Sequence, residues 1–360
     1  MKTPTFLSRA LHAAWQRKGL LSAALLPLSL PVLAATAYKH RRYLRRPDLV
    51  YHSRLPVVVV GNIYVGGTGK TPVVMALIQA LQERGWRPGV ISRGYGAKVG
   101  DHARAGTGKL DPSEFGDEPA LIARTTMVPV SVHPSRVLAI KKLQKNYPEV
   151  NIVIADDGLQ HLALGRDIEI VVQDARGIGN GRVIPAGPLR EPASRLQSVD
   201  YLISNLHGDM AAPANIASMA RQLSMRLTPA TVTNLVTGAS LDWSSWRTQH
   251  GTDSISAVAA IGQPERFFSM LRAAGITLDR TCGLPDHDPY DASPFTDLAS
   301  SHILITAKDA VKCERFNDAR LWVVHPTPVF SDPDWLDLID QMLRFIATRK
   351  ETMAAQRRKH

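Results

Sequence analysis

YVGGTGKTP, residues 64–72, follows the apolar run LPVVVVGNI at 55–63 and leads into VVMALIQALQERG at 73–85. The first run predicts a strand buried on both faces, and the second has the apolar spacing of a helix. Glycines between a buried strand and a helix, closed by Gly-Lys-Thr, are typical of a phosphate-binding loop. The usual pattern, Gly-x-x-x-x-Gly-Lys-Ser/Thr, begins with glycine where this chain has Tyr64.

The residue types in this loop suit a nucleotide phosphate. Glycines let backbone N–H groups turn toward phosphate oxygens, and the helix N-terminus adds its dipole. The lysine can reach the outer phosphates and the threonine hydroxyl can hold Mg²⁺, while a proline in the first turn costs no hydrogen bond. A plain glycine-rich turn is the alternative. We assign eight residues to nucleotide binding: Val65, Gly66, Gly67, Thr68, Gly69, Lys70, Thr71 and Pro72.

A second polar motif follows another apolar run, in NIVIADDGLQH at 151–161. A carboxylate at the end of a buried strand can reach a loop-bound Mg²⁺ directly or through water. A strand that ends in Asp-Asp-Gly is otherwise an ordinary turn, but the phosphate loop favours the catalytic interpretation. We predict a metal site formed by Thr71, Asp156 and Asp157.

Short apolar runs alternate with helical stretches beyond residue 54, which indicates an α/β fold with a mostly parallel sheet. Predicted strands lie at 56–62, 87–93, 127–132, 151–157, 168–174 and 200–205, and a second set lies at 254–262, 302–309 and 320–326. We therefore expect two α/β domains. The predicted division is a basic N-terminal segment at 1–46, a P-loop domain at 47–225, a smaller domain at 226–345 and a basic tail at 346–360.

The net charge of +11 is concentrated at the two ends of the chain. Residues 1–54 carry +9, and residues 349–360 carry +4. Two cysteines, without metal-ligand spacing, indicate a reduced cytosolic protein. Nucleic acid also binds basic segments, but it leaves the long uncharged stretch near the N-terminus unexplained, so we expect no nucleic-acid partner.

That stretch is GLLSAALLPLSLPVLAATAY at 19–38, which is about 30 Å long as a helix. A cleaved signal peptide would conflict with a downstream nucleotide site. A single span would have to tolerate two prolines and basic residues at both ends. A helix that lies in or dips into the inner leaflet fits best, because both basic flanks can reach anionic headgroups.

Eight motifs in register resemble the tetraacyldisaccharide 4'-kinase family of lipid A biosynthesis. They run in order through the chain and are GNIYVGGTGKTP (61–72), SRGYG (92–96), GDEP (116–119), DDGLQH (156–161), PAGPLRE (185–191), AIGQPERFF (260–268), PDHDPY (285–290) and TAKDAVK (306–312). The chain departs at Tyr64, where the family more often has threonine, and at Leu159, where it more often has phenylalanine.

The resemblance implies a P-loop NTPase-like α/β/α domain, a second, smaller α/β domain with the site in the cleft between them, and an N-terminal membrane-associating helix. It implies transfer of the ATP γ-phosphate, with Mg²⁺, to the 4'-hydroxyl of a tetraacylated glucosamine disaccharide 1-phosphate. The place would be the cytoplasmic face of the inner membrane of a Gram-negative cell, and the partners would be the lipid-linked disaccharide and the anionic leaflet.

The family pattern also implies roles for single residues. It makes Lys70 and Thr71 the phosphate and metal ligands, Asp156 and Asp157 the Walker B-type acids, and Asp117 with His287 the catalytic base. Asp117 has the alternative of an ordinary helix N-cap, and His287 that of an exposed loop histidine. Five more residues are assigned only to the cleft in general: Arg93, Gln160, His161, Arg190 and Asp286.

Two other functions are compatible with a phosphate loop. A GTPase needs Asn/Thr-Lys-x-Asp for guanine, whereas residues 306–309 read Thr-Ala-Lys-Asp, with the lysine one place too late. A nucleotide-gated membrane-docking or partitioning ATPase would release free phosphate and would need no acceptor base. The destination of the ATP phosphate therefore separates a lipid kinase from such an ATPase.

Overall fold

A computed structural model describes residues 15–97, 99–208, 210–213, 218–285 and 288–357. The α-helices are α1 (Leu20–Ala24), α2 (Leu26–Arg45), α3 (Lys70–Glu83), α4 (Pro112–Phe115), α5 (Asp117–Thr126), α6 (Arg136–Asn146), α7 (Trp243–His250), α8 (Pro264–Ala273), α9 (Ala307–Cys313) and α10 (Trp335–Arg357). The strands are β1 (Val57–Gly61), β2 (Pro88–Ser92), β3 (Arg104–Gly106), β4 (Val130–Val132), β5 (Ile152–Asp156), β6 (Ile168–Asp174), β7 (Tyr201–Leu206), β8 (Arg221–Asn234), β9 (Ser240–Asp242), β10 (Ile255–Ala259), β11 (Arg280–Gly283), β12 (His302–Thr306) and β13 (Leu321–Phe330). The predicted α/β fold class is confirmed.

The chain forms two compact units, of which the larger contains the phosphate loop. Of the described residues, the larger unit comprises those within 15–205, 212–224 and 330–357, and the smaller comprises those within 206–211 and 225–329. The predicted boundary near residue 225 falls inside β8, a strand that the sequence analysis missed because its apolar residues are sparse. The four-part division of the chain stays a prediction.

In the larger unit the strands run in the order β7-β6-β1-β5-β2-β4-β3. All neighbours are parallel except β3 and β4. Strand β1 is central, with β5 on one side and β6 on the other, and its four valines are completely buried. Parallel strands end at the same edge of a sheet, where α/β proteins bind their ligands. The end of β1 therefore lies beside the end of β5, which carries Asp156.

Helix α10 belongs to the larger unit, although the sequence division placed its first residues in the smaller domain. Trp335 is fully buried and packs edge-on against Tyr201, with 5.9 Å between ring centroids. Further along the helix, Asp340 accepts a hydrogen bond of 2.6 Å from the indole of Trp86. Such long-range contacts are invisible to local sequence patterns, which explains the different placement.

Two serine side chains connect helices α1 and α2 to the rest of the larger unit by hydrogen bonds. Ser22 donates to the carbonyl oxygen of Ala186 at 2.5 Å, and Ser29 donates to that of Val183 at 2.8 Å. Both serines are buried, whereas Leu20, Leu28 and Leu30 beside them are exposed, Leu20 by 93%. Pro31 lies inside α2, which continues to Arg45. None of the helices in the described ranges is long and apolar enough to cross a membrane.

The smaller unit has the strand order β11-β10-β12-β13-β8, with β9 beside β8. The predicted strand at 302–309 ends at Thr306, because that residue caps α9 and its side chain accepts a hydrogen bond from the backbone N–H of Asp309. Asp309 is buried and its carboxylate accepts from the N–H of Ala260 at 3.2 Å. Thr-Ala-Lys-Asp therefore forms a helix start rather than a guanine-recognition motif.

Candidate active site

The phosphate loop spans the end of β1 and the start of α3. Gly66 and Gly69 adopt left-handed conformations, with φ of 100° and 85°. A Cβ atom on Gly69 would lie 1.9 Å from Nδ2 of Asn205, so glycine is required there for both backbone and packing reasons. No side chain within the described ranges caps the N-terminus of α3. The first N–H groups of that helix are therefore available to an anion.

Two asparagines hold the loop from inside. Asn62 is buried and donates to the carbonyl oxygen of Gly66 at 3.0 Å and to the Thr68 hydroxyl at 3.2 Å. Asn205, at the end of β7, donates to the carbonyl oxygen of Thr68 at 3.1 Å. These bonds satisfy polar groups of an irregular buried backbone, which would otherwise be costly. The sequence did not predict Asn205 as a loop contact, because strand order alone brings the end of β7 close to the loop.

Tyr64, the departure from the usual loop pattern, lies in the core and is only 2% exposed. The guanidinium of Arg176 stacks over its ring at 4.2 Å from the centroid. Arg176 pairs with Asp174 at 2.6 Å and donates to the carbonyl oxygen of Gly67 at 3.2 Å. Tyr64 thus supports the loop through Arg176, which contacts the tyrosine ring by a cation–π interaction and the loop backbone by a hydrogen bond.

Lys70, Arg190 and Asp157 form a charged cluster at the start of α3. The Lys70 ammonium lies 3.4 Å from one Asp157 oxygen, and the Arg190 guanidinium lies 3.3 Å from the other. These two cations hold the pKa of Asp157 below its usual value, although burial opposes them. The backbone N–H of Arg190 donates to the carbonyl oxygen of Ile63 at 2.7 Å, so the PAGPLRE segment is held against the loop.

Asp156 differs from its neighbour because one of its oxygens is unsatisfied. Oδ2 accepts a hydrogen bond from the Ser92 hydroxyl at 3.1 Å, while Oδ1 is buried and has no partner in the part of the chain that the structure describes. Burial raises the Asp156 pKa to about 6, and the negative charge of Glu118 adds to the effect. A buried carboxylate oxygen without a donor is the group that Mg²⁺ ligation satisfies. The residues present therefore fit a magnesium ion.

Arg136 is a buried cation that the sequence analysis missed. Its guanidinium donates to the carbonyl oxygens of Asp156 at 3.2 Å and Asp157 at 3.1 Å. Burial lowers its pKa to about 10. These bonds fix the backbone around Asp157, whose φ is 48°, a conformation that is unusual for a residue with a side chain. The sequence signal for Arg136 was its position shortly after the strand predicted at 127–132.

The other predicted residues of DDGLQH have structural partners. The Gln160 side-chain amide donates to the backbone carbonyl oxygen of Asn62 at 2.9 Å. The backbone carbonyl oxygen of Gln160 accepts a hydrogen bond from the Lys39 ammonium at 2.7 Å. His161 accepts a hydrogen bond from the N–H of Arg136 at 3.2 Å. Burial lowers the His161 pKa to about 4, and surrounding cations contribute. His161 is therefore neutral at pH 7.

Asp117 is the first residue of α5 and is exposed, as is Arg93 after β2. The N-cap of α5 is Gly116, with φ of 90°, so the alternative that Asp117 is an ordinary N-cap is wrong. A Cβ atom on Gly116 would lie 2.6 Å from the carbonyl oxygen of Tyr95. GDEP and SRGYG therefore meet at this point. Asp286 and His287 lie outside the described residues.

The profile of the Tetraacyldisaccharide-1-P 4'-kinase family matches residues 21–344. A tetraacyldisaccharide 4'-kinase from Bordetella petrii is 50% identical over 335 residues, which are 92% of this chain and 94% of the relative. The chain belongs to the tetraacyldisaccharide 4'-kinase family. A family member from Dechloromonas aromatica is 42% identical over 340 residues, which are 94% of this chain and 98% of the relative. The predicted family resemblance is confirmed.

The fold of this chain is similar to that of a solved structure. The crystal structure of LpxK from Aquifex aeolicus in complex with ATP superposes with a TM-score of 0.74 at 24% identity. The match covers 90% of this chain and 100% of that one. At this identity the superposition supports the fold alone.

Replacing Asp156 by asparagine should stabilise the metal-free protein at pH 7. Below about pH 4 the carboxyl is protonated both folded and unfolded. Between about pH 4 and pH 6 the folded state keeps a proton that the unfolded state loses, so stability falls as pH rises through this window. Asp156→Asn avoids that loss, which is on the order of 3 kcal/mol at pH 7.

Thermal melting with EDTA at pH 7 and pH 4 measures the difference. We expect Asp156→Asn to melt above the wild type at pH 7 and close to it at pH 4. The matched control is Asp101→Asn, at an exposed position of the same unit, which should show no such dependence. An equal advantage at both pH values would contradict a penalty from ionising Asp156.

Proposed function

We propose that the chain transfers the γ-phosphate of ATP to the 4'-hydroxyl of a tetraacylated glucosamine disaccharide 1-phosphate. The product is the 1,4'-bisphosphate of lipid A biosynthesis. The observation that carries the proposal is the junction of β1 and β5 in a member of this kinase family. There the phosphate loop lies beside a buried carboxylate with a free oxygen and an Asp157 paired to two cations.

Phosphoryl transfer depends mainly on positioning and on charge neutralisation. Lys70 and Arg190 provide two positive charges at the helix start, and Asp157 holds them in place. Mg²⁺, when bound, would neutralise charge on the phosphates, and Asp156 with Thr71 would hold it. Of the two aspartates, Asp156 is the direct ligand in this proposal, because the oxygens of Asp157 are already engaged by cations.

The acceptor hydroxyl is a poor nucleophile and benefits from a general base. We assign this role to Asp117 together with His287, following the family pattern. Asp117 is suited to it because it is exposed and is not the N-cap of α5. Arg93, Gln160, His161 and Asp286 stay proposed as neighbours of the reaction site. The contacts of Gln160 and His161 favour a role in positioning the backbone near the loop.

The lipid acceptor requires the enzyme to work at a membrane surface, and the proposed place is the cytoplasmic face of the inner membrane. Helices α1 and α2 expose several large apolar side chains, namely Leu20, Leu21, Leu26, Leu28, Leu30, Tyr38 and Leu44. Basic residues follow in the last turn of α2. Apolar side chains beside basic ones suit the interface of an anionic leaflet, and we propose no nucleic-acid partner.

The destination of the phosphate tests the proposed function. The full chain is incubated with ATP, Mg²⁺ and the disaccharide 1-phosphate, and the lipid is analysed by mass spectrometry. We expect a mass gain of one phosphate on the lipid, at the 4' position. The acceptor lacking a 4'-hydroxyl serves as control. Free phosphate released at the same rate with and without lipid would instead support a membrane-docking or partitioning ATPase.

The exposed leucines of α1 and α2 should govern membrane attachment. A triple variant with Leu20→Gln, Leu28→Gln and Leu30→Gln should move most of the protein into the soluble fraction, because it removes exposed apolar side chains. The buried Ser22 and Ser29 are unchanged, so the helices should stay attached to the fold. Flotation with anionic vesicles at low and high salt measures the membrane-bound fraction. Leu138→Gln, at another partly exposed leucine, is the control. Unchanged flotation of the triple variant at both salt concentrations would contradict the assignment.

A further inference from the structure

A cluster of metal-ligating side chains lies in the smaller unit, and the kinase mechanism does not use it. His250 is the last residue of α7, Asp253 lies in the turn that follows, and His302 is the first residue of β12. One ligand atom from each residue lies within 4.8 Å of the other two. The cluster thus joins the end of a helix to the start of a buried strand.

The distances within the cluster match the edges of a tetrahedral site. Asp253 Oδ2 lies 3.3 Å from Nδ1 of His250 and 3.1 Å from Nε2 of His302. Ligands bound to zinc at about 2.0–2.1 Å in a tetrahedron are about 3.3 Å apart. Two of the three edges therefore need almost no movement, and the ligand atoms of the third edge lie within 4.8 Å of each other.

The surroundings hold the two imidazoles in place. The His250 and His302 ring centroids are 4.3 Å apart. The Trp246 ring centroid lies 5.5 Å from that of His250 and 5.8 Å from that of His302. The Trp322 centroid lies 5.9 Å and 6.3 Å from the same two rings. Nδ1 of His302 is buried and has no hydrogen-bond partner among the described residues, so the polar contact of that ring falls on Nε2. Asp253 is 41% exposed, which leaves the open side to water.

We propose that His250, Asp253 and His302 form a binding site for one divalent transition-metal ion, with zinc as the preferred occupant. Two imidazoles and one carboxylate are a ligand set that zinc uses, with water in the fourth position. Mg²⁺ and Ca²⁺ prefer oxygen ligands, so this site would not compete for the metal of the kinase reaction. The bound ion would fasten α7 to β12 within the smaller unit.

Zinc titration of the full chain, purified without a histidine tag, tests the site. Calorimetry is performed with millimolar Mg²⁺ present to occupy carboxylate sites. We expect one equivalent of Zn²⁺ to bind. Asp253→Asn and His250→Gln should each weaken binding at least about tenfold, because even losing a partner of a ligand costs that much. The matched control is His102→Gln, at an exposed histidine outside the cluster.

Co²⁺ provides a second readout that does not depend on the variants. Bound at this site, it should give the visible absorption of a tetrahedral complex and should quench part of the tryptophan emission, since Trp246 and Trp322 flank the rings. Absence of saturable Zn²⁺ binding by the wild type would overturn the proposal. So would equal Zn²⁺ affinity in His250→Gln, Asp253→Asn and His102→Gln, and the cluster would then be a hydrogen-bonded His–Asp–His group.

Discussion

Lys70→Ala should lose nearly all lipid phosphorylation while keeping a native fold. The Lys70 side chain is only 10% exposed, and its ammonium is held 3.4 Å from Asp157 at the start of α3. Removing a preorganised positive group from a phosphoryl-transfer site costs on the order of 10²–10³ in rate or more. The fold should survive because Asp157 keeps its second cation, Arg190.

The measurement is the rate of lipid phosphorylation at saturating ATP, with circular dichroism to verify folding. Lys145→Ala removes an exposed lysine of α6 and should leave the rate unchanged. Lys70→Arg keeps the charge but changes its geometry, and it should fall between the wild type and alanine. Turnover of Lys70→Ala near the wild-type rate would overturn the phosphate-loop assignment.

Asp117→Ala and His287→Ala should each lower kcat strongly without weakening ATP binding. Removing a positioned base typically costs on the order of 10²–10⁴ in rate. Residues that act as one unit lose far less than the sum when both are removed. The double variant should therefore be scarcely slower than either single variant. A double-mutant cycle on kcat, with ATP affinity measured separately, tests this coupling.

Two results would contradict the paired base. Strictly multiplicative losses in the double variant would mean that Asp117 and His287 do separate jobs. A large loss of ATP affinity in His287→Ala would place that residue at the nucleotide instead. Asp101→Ala is a suitable control, because it removes an exposed carboxylate of the same unit. Its kcat should change much less than that of Asp117→Ala.

Local patterns predicted most of the elements that build the phosphate-loop region. The four valines of β1, the glycines after them and the helix start at Lys70 are contiguous in the chain, so period and composition suffice to place them. The strand before Asp156 was predicted for the same reason. Strand β8 was missed, because its side chains are mostly exposed or half-buried and it lacks the continuous apolar run of a central strand.

The supporting contacts of the site could not be predicted in this way. Asn205 contacts Thr68 across 137 positions, and Arg136 donates to carbonyls 20 and 21 positions away. Whether such residues meet depends on strand order, and a single sequence does not encode strand order locally. The same holds for Tyr64, whose partner Arg176 lies on the segment after β6.

The sequence by itself determined the α/β class, the phosphate loop, the acidic pair and the family, because each is written in neighbouring residues or in motifs with a fixed order. Only the tertiary structure decided how Asp156 and Asp157 differ. The two are adjacent in the chain, but one is buried with an unsatisfied oxygen and the other is paired to Lys70 and Arg190. Burial and charge contacts, rather than residue type, set their pKa values in opposite directions.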